Sequence, residues 1–218
     1  MKRVCLLLGA ALTMAECGGD NGPSSTVTSV VITGDSVVAL HATHQLTATA
    51  LAGNTPIDPT GLTFLWMTSD STKLRVSQTG LVTGVSLGSA SITVTAVPQV
   101  TDPVSSSPHA MRSRIGRIVF QPFDVVLAPN DTLILNADAR DGLNSSLTGI
   151  TFTWVSRSPA IVTVADSGIH KAIVAAVGTG TTRIVATADG ITDSLTATVQ
   201  VSASVPIRNW IVRGSLRH

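Results

Sequence analysis

The chain has 218 residues, 44% of them hydrophobic and 12% charged, with a formal net charge of +1 and no tyrosine. That length accommodates two compact domains of roughly 100 residues each, and the near-neutral balance implies neither a nucleic-acid nor an acidic-surface partner. The cysteines, Cys5 and Cys17, both lie near the start, which excludes a disulfide framework, a cysteine-based zinc site or a cysteine nucleophile in the body of the protein.

Residues 1–17 read as an export signal. Lys2 and Arg3 form a positive start, and Val4 to Leu12 form an apolar run shorter than the roughly 20 residues a transmembrane helix needs. Cys17 follows, with Gly18-Gly19 behind it. A cysteine so placed resembles the lipidated residue of a bacterial lipoprotein signal, and the Gly18 that follows it resembles outer-membrane rather than inner-membrane sorting. Glu16 departs from that pattern, which prefers a small residue there. Ordinary cleavage after Ala15, giving a secreted protein, is the rival reading. Residues 18–27 read as a flexible tether.

Two segments then repeat one another in order. The first, residues 28–100, carries Leu46-Thr47-Ala48, Leu62 to Ser69 around Trp66, Thr79-Gly80-Leu81-Val82, and Gly88 to Ala96. The second, residues 115–202, answers with Leu135-Asn136-Ala137, Ile150 to Ser156 around Trp154, Ser167-Gly168-Ile169, and Gly180 to Ala188. Trp66 and Trp154 stand 88 positions apart, as do Gly80 and Gly168, and the offset grows to 92 between Ile92 and Ile184. A period near 90 is too long for a solenoid and suits a β-sandwich domain of about 100 residues.

Within each segment the apolar residues alternate. Ile92, Val94 and Ala96 fall on one side of an extended chain and Thr93 and Thr95 on the other, and Leu195, Ala197, Val199 and Val201 do the same in the second segment. This is the period of a strand with one buried face. Turn residues bound the runs at Gly53-Asn54, Asp58-Pro59-Thr60-Gly61, Asp141-Gly142 and Asp189-Gly190. The fold expected is all-β, two tandem sandwiches. Between them, residues 101–114 contain Pro103 and Pro108 and read as a linker, with the first sandwich closing on a short irregular edge. Residues 203–218 form a C-terminal tail.

The repeated motifs resemble the bacterial Ig-like domain of group 2, the module of intimin- and invasin-type adhesins. In that family a Leu-Thr-Ala strand precedes a Trp followed by Ser, a Ser-Gly-Leu-Val turn, and a Gly-x-Ala-x-Ile-Thr-Ala strand. The resemblance implies two immunoglobulin-like sandwiches with a non-catalytic binding, adhesive or spacing role outside the cytoplasm. It also implies a protein or glycan partner at the cell surface, no cofactor, and membrane contact only through a lipid anchor on Cys17. The chain is expected to be monomeric.

Several residues invite a sharper reading. Gly84-Val85-Ser86-Leu87-Gly88 has the spacing of a hydrolase nucleophile elbow, but the alternating strand after it is not the helix that motif needs. His41 and His44 would share a face on a helix and oppose each other on a strand, which favours solvated histidines over a metal site. His109, His170 and His218 show no partner carboxylate at a telling spacing. Asp138 to Gly142 and Asp189 to Asp193 carry oxygens that calcium takes, as some relatives of the family do, although hairpin turns use the same residues. Arg112, Arg114 and Arg117 read as solvated linker charge, as do Arg208, Arg213 and Arg217 in the tail.

Trp66 and Trp154 read as core residues, because every copy needs its core filled. Gly80, Gly168, Gly88 and Gly180 read as structural glycines at turns. A carbohydrate- or cell-wall-binding module is the alternative function. It needs an exposed aromatic, and Trp210 is the candidate.

Overall fold

The computed structural model describes residues 26–99 and 101–201 and contains no helix among them. The leader, Cys17, the start of the tether and the tail with Trp210 lie outside the described residues. The described chain forms two tandem immunoglobulin-like β-sandwiches, the first from Ser29 to Arg114 and the second from Arg117 to Val199.

In the first sandwich one layer is centred on strand Gly88–Pro98, which pairs antiparallel with Leu62–Thr68 on one side and with Val104–Ser105 and His109–Arg114 on the other. Strand Val37–Ala39 closes that layer by pairing parallel with His109–Arg114. The opposing layer holds Ser29–Thr33 against Thr47–Ala52, and Thr43–Gln45 against Leu81–Gly84 and Leu74–Val76. The second sandwich repeats this plan. Thr153–Ser156, Gly180–Ala188, Ile191–Val199 and Val125–Leu127 form one layer, again with a parallel last pair. Arg117–Gln121, Thr132–Arg140, Lys171–Ala176 and Val162–Asp166 form the other.

The alternation read in the sequence is visible in burial. Ile92, Val94 and Ala96 are fully enclosed in the first core with Leu46, Leu74, Val82 and Trp66. Leu195, Ala197 and Val199 face the second core with Leu135, Val174 and Ile184. Val201 does not join them: the strand ends at Val199 and Val201 is exposed.

Residues 101–114 are not a linker. Val104–Ser105 and His109–Arg114 are the closing strand of the first sandwich. The prolines are absorbed because of where they fall. Val104 pairs with Ala96 but His109 pairs with Ile92, a shift of one residue in register. Pro108 sits at that bulge, where a missing N–H interrupts no ladder bond. Ser106 keeps the interrupted strand attached, its N–H donating to the Val94 carbonyl at 2.8 Å and its Oγ accepting from the Val94 N–H at 3.1 Å.

The free edge of Leu62–Thr68 is guarded. Its outer face shows Leu65 and Met67, an arrangement that invites pairing with another chain. The Gln78 side-chain amide answers the unpaired backbone of Trp66, accepting from its N–H at 3.2 Å and donating to its carbonyl at 3.3 Å. Gln78→Ala should therefore raise self-association while leaving the far-ultraviolet circular dichroism unchanged. Sedimentation velocity on wild type and variant at equal concentration measures it.

Candidate functional site

A cluster of polar side chains sits where the two sandwiches meet. The closing strand of the first ends at Arg114 and the opening strand of the second begins at Arg117, so Ile115-Gly116 is the whole connection. Alternate residues along this stretch are buried: Met111 in the first core, then Ser113, then Ile115 at the near end of the second core. One extended run thus feeds side chains into both bodies. Leu87, from the turn before Gly88–Pro98, packs against the same cluster as Ile115.

The turn Ala39 to Ala42 supplies the first half of the joint. His41 adopts φ 61° there, its N–H donating to the Gly84 carbonyl at 2.9 Å, while the Leu40 N–H donates to Arg114 at 2.7 Å. The loop after Thr132–Arg140 supplies the second half. The Gly142 N–H donates to the Leu40 carbonyl at 2.8 Å, a backbone bond from one sandwich to the other. A Cβ on Gly142 would lie 2.4 Å from the Ala42 Cβ, so only glycine allows this approach.

Asp141 is the anchor of that loop. Its side chain is 2% exposed, and Oδ2 accepts from His41 Nδ1 at 2.7 Å. Its Oδ1 accepts from the Leu143 and Ser145 N–H groups at 2.9 and 2.7 Å. The His41 bond, together with the Ser145 and Leu143 N–H groups, holds the Asp141 carboxyl below its ordinary range against the opposing effect of desolvation.

The sign of the pH dependence follows. Protonation favours the open joint, where the carboxyl titrates near its usual value of about 3.9. Closure is therefore fully supported above that value and is lost as pH falls through the lower value of the closed state. Residual dipolar couplings should show the sandwiches uncoupling only below about pH 4, and Asp141→Asn should remove that transition.

A second contact lies beside the first. Asp189-Gly190 forms the two-residue hairpin between Ala188 and Ile191, with φ 48° and 76°, the geometry that favours Asp-Gly. Asp189 turns its carboxylate back to the connection, accepting from the Ile115 N–H at 3.0 Å and from Arg112. Arg117 in turn donates to Asn144 Oδ1.

These contacts correct the reading of the linker arginines. Arg112 and Arg117 are not free linker charge, because each is bound to an acceptor on the second sandwich. His41 stays half exposed and meets the Asp141 carboxylate, 100 residues away. His44 serves a different turn, its Nε2 accepting from the Asp35 N–H at 3.0 Å, so the two histidines do not converge. The Asp141 and Asp189 carboxylates face N–H donors, not open space for calcium. Among the described residues no group of three or more His, Cys, Asp or Glu side chains could hold a metal ion. Ser86 donates to the Thr72 carbonyl at 2.7 Å, and strand Gly88–Pro98 follows it with no helix.

Trp66 is 5% exposed in the first core. Trp154 is half-buried, between Phe120 and Phe152 at centroid distances of 6.2 and 6.1 Å. Gly80 lies against Trp66, while Gly168 has open space beside it. Gly88 and Gly180 have nearly the same φ, 135° and 138°, and each borders an aliphatic chain, Lys73 or Ile161. The joint itself could not be read from spacing, since its partners are 77 and 100 residues apart. The one available signal was the alternation of Met111, Ser113 and Ile115.

Residues 26–103 match the bacterial Ig-like domain (group 2). That match covers most of the first sandwich and stops short of its closing strand His109–Arg114. No curated protein matches the chain. Among solved structures, domains 4 and 5 of the S-layer protein SbsC are 18% identical over 79% of this chain and 98% of that one, with a TM-score of 0.35. In a longer SbsC structure the match spans 81% of this chain and 28% of that one, at 19% identity and a TM-score of 0.36. The Yersinia pseudotuberculosis adhesin InvE is 15% identical, over 79% of this chain and 59% of that one, with a TM-score of 0.31. These likenesses are too low to bear on function.

Proposed function

We propose that this is an extracytoplasmic, non-catalytic protein in which two group 2 bacterial Ig-like modules act as one spacer, holding a binding face away from the membrane. The observation that carries the reading is the joint. A two-residue connection, a backbone bond between sandwiches and two side-chain contacts leave little slack for independent motion. The second module repeats the strand plan and the glycine positions of the first, which supports a tandem origin.

The signal-like start, residues 1–17, supports a spacer outside the cytoplasm, with Cys17 as a lipid anchor in the outer membrane and release after Ala15 as the competing topology. Mass spectrometry of the N-terminus from membranes, combined with protease treatment of intact cells, tests this. A diacylglyceryl-modified Cys17 and cleavage of the sandwiches from outside are expected. A free Glu16 terminus would replace the anchored form with a secreted one. Full-length chain retained in the cytoplasm with an intact leader would overturn the proposal.

A further inference from the structure

Phe123 is the most exposed large hydrophobic residue described, at 89%, and the other described aromatic rings are buried or half-buried. It follows strand Arg117–Gln121 on the second sandwich and stands on the rim of a groove of about 520 Å³. That size lies in the range of small-ligand clefts, about 300–1,000 Å³. An isolated exposed phenylalanine needs no explanation, but one beside an organised polar row does.

The row comes from strand Thr132–Arg140. Its even-numbered residues Asn136, Asp138 and Arg140 point away from the core, while Leu135, Ala137 and Ala139 point into it. All three polar residues line the groove. They are also held in place. The Arg140 Nε donates to Asp138 Oδ2 at 3.0 Å, Ser146 donates to Asp138 Oδ1, and Asn136 Nδ2 donates to the Gln121 carbonyl at 3.3 Å. This leaves the Asn136 carbonyl oxygen, the second lone pairs of Asp138 and remaining Arg140 N–H groups to address a ligand. The ordering entropy of these side chains is already spent. Beneath them, Phe120 and Leu147 form the apolar part of the lining, and His170 adds a polar ring nitrogen, Nδ1, with no protein hydrogen-bond partner among the described residues.

We infer that this groove is a saccharide subsite, with Phe123 as the stacking surface and Asn136, Asp138 and Arg140 as the hydroxyl-reading row. A pyranose presents an apolar C–H face and a rim of hydroxyls that both donate and accept, and the groove offers the complement of each. Asp138 and Arg140 neutralise one another, so the lining carries no net charge and the ligand is an uncharged sugar. β-1,4-linked hexopyranoses, whose ring faces are flat and C–H-lined, are suitable neutral probes. The inference goes beyond the spacer reading, because a spacer needs no such row.

The test is titration of the full chain with chitotetraose, cellotetraose and, as the charged comparison, tetragalacturonate, followed by amide chemical shifts. At least one neutral tetrasaccharide should shift the Val119, Phe120, Leu147 and Thr148 resonances. Phe123→Ala should weaken that binding at least tenfold with unchanged thermal unfolding, as expected for an exposed side chain, and Asn136→Ala should weaken it without altering the Phe123 environment. Absence of shifts from both neutral sugars at 10 mM, binding of tetragalacturonate alone, or full affinity in Phe123→Ala would each overturn the assignment. None of these outcomes would affect the joint.

Discussion

Gly80→Ala should lower the stability of the first sandwich by about 3 kcal/mol, which for a domain of this size moves its melting midpoint down by roughly 15 °C. Two effects combine. The residue sits at φ 82°, where an L side chain is strained. A Cβ there would also lie 2.6 Å from the Leu46 carbonyl oxygen and 2.8 Å from Trp66 Cζ2. Neither neighbour can retreat: Leu46 is bonded to Gly80 through its own N–H at 2.9 Å, and Trp66 is enclosed by the core. Gly61 separates the two effects. It has φ 81° but nothing within 4 Å, so Gly61→Ala should cost only about 1 kcal/mol. Chemical denaturation of the two variants measures the difference, and equal losses would show that the contact with Trp66 and Leu46 contributes nothing.

Gly142→Ala should open the joint while leaving each sandwich folded. The added methyl group would meet Ala42 at 2.4 Å and the Leu40 carbonyl oxygen at 3.2 Å. The turn it meets is fixed from within, by the Ala42 N–H to Ala39 at 3.0 Å and by the Gly84 N–H to Ala42 at 3.1 Å. The second sandwich must therefore withdraw, giving up the Gly142 to Leu40 bond, worth about 1 kcal/mol, and pulling Asp141 from His41. Residual dipolar couplings should then fit two alignment tensors, and the scattering radius should grow. Ala42→Gly in the same chain removes the opposing methyl group and should restore a single tensor. Failure of that rescue would mean that the contact at Ala42 is not what sets the joint.

The repeat, the sandwich class and the buried side of Ile92–Ala96 and Leu195–Val199 were legible in the sequence because strand alternation and turn glycines are local signals. The closing strand of the first sandwich was hidden by Pro103 and Pro108. Proline warns against a strand interior, yet a one-residue bulge lets Pro108 occupy a place where no ladder bond is missed. Ser113 added to the disguise, a polar residue at a fully buried position. The joint was illegible for a different reason. Asp141-Gly142 and Asp189-Gly190 look like ordinary turns in one dimension, and only the fold brings His41, Arg112 and Ile115 to their carboxylates. Phe123, in a chain whose repeats drew attention to tryptophan, carried no periodic signal at all.

Residual dipolar couplings on the unmodified chain at neutral pH address the joint itself. Amides from Ser29–Arg114 and from Arg117–Val199 are predicted to share one alignment tensor of equal magnitude and orientation. Two tensors differing in magnitude would mean that the sandwiches swing independently about Ile115-Gly116, and would contradict the account.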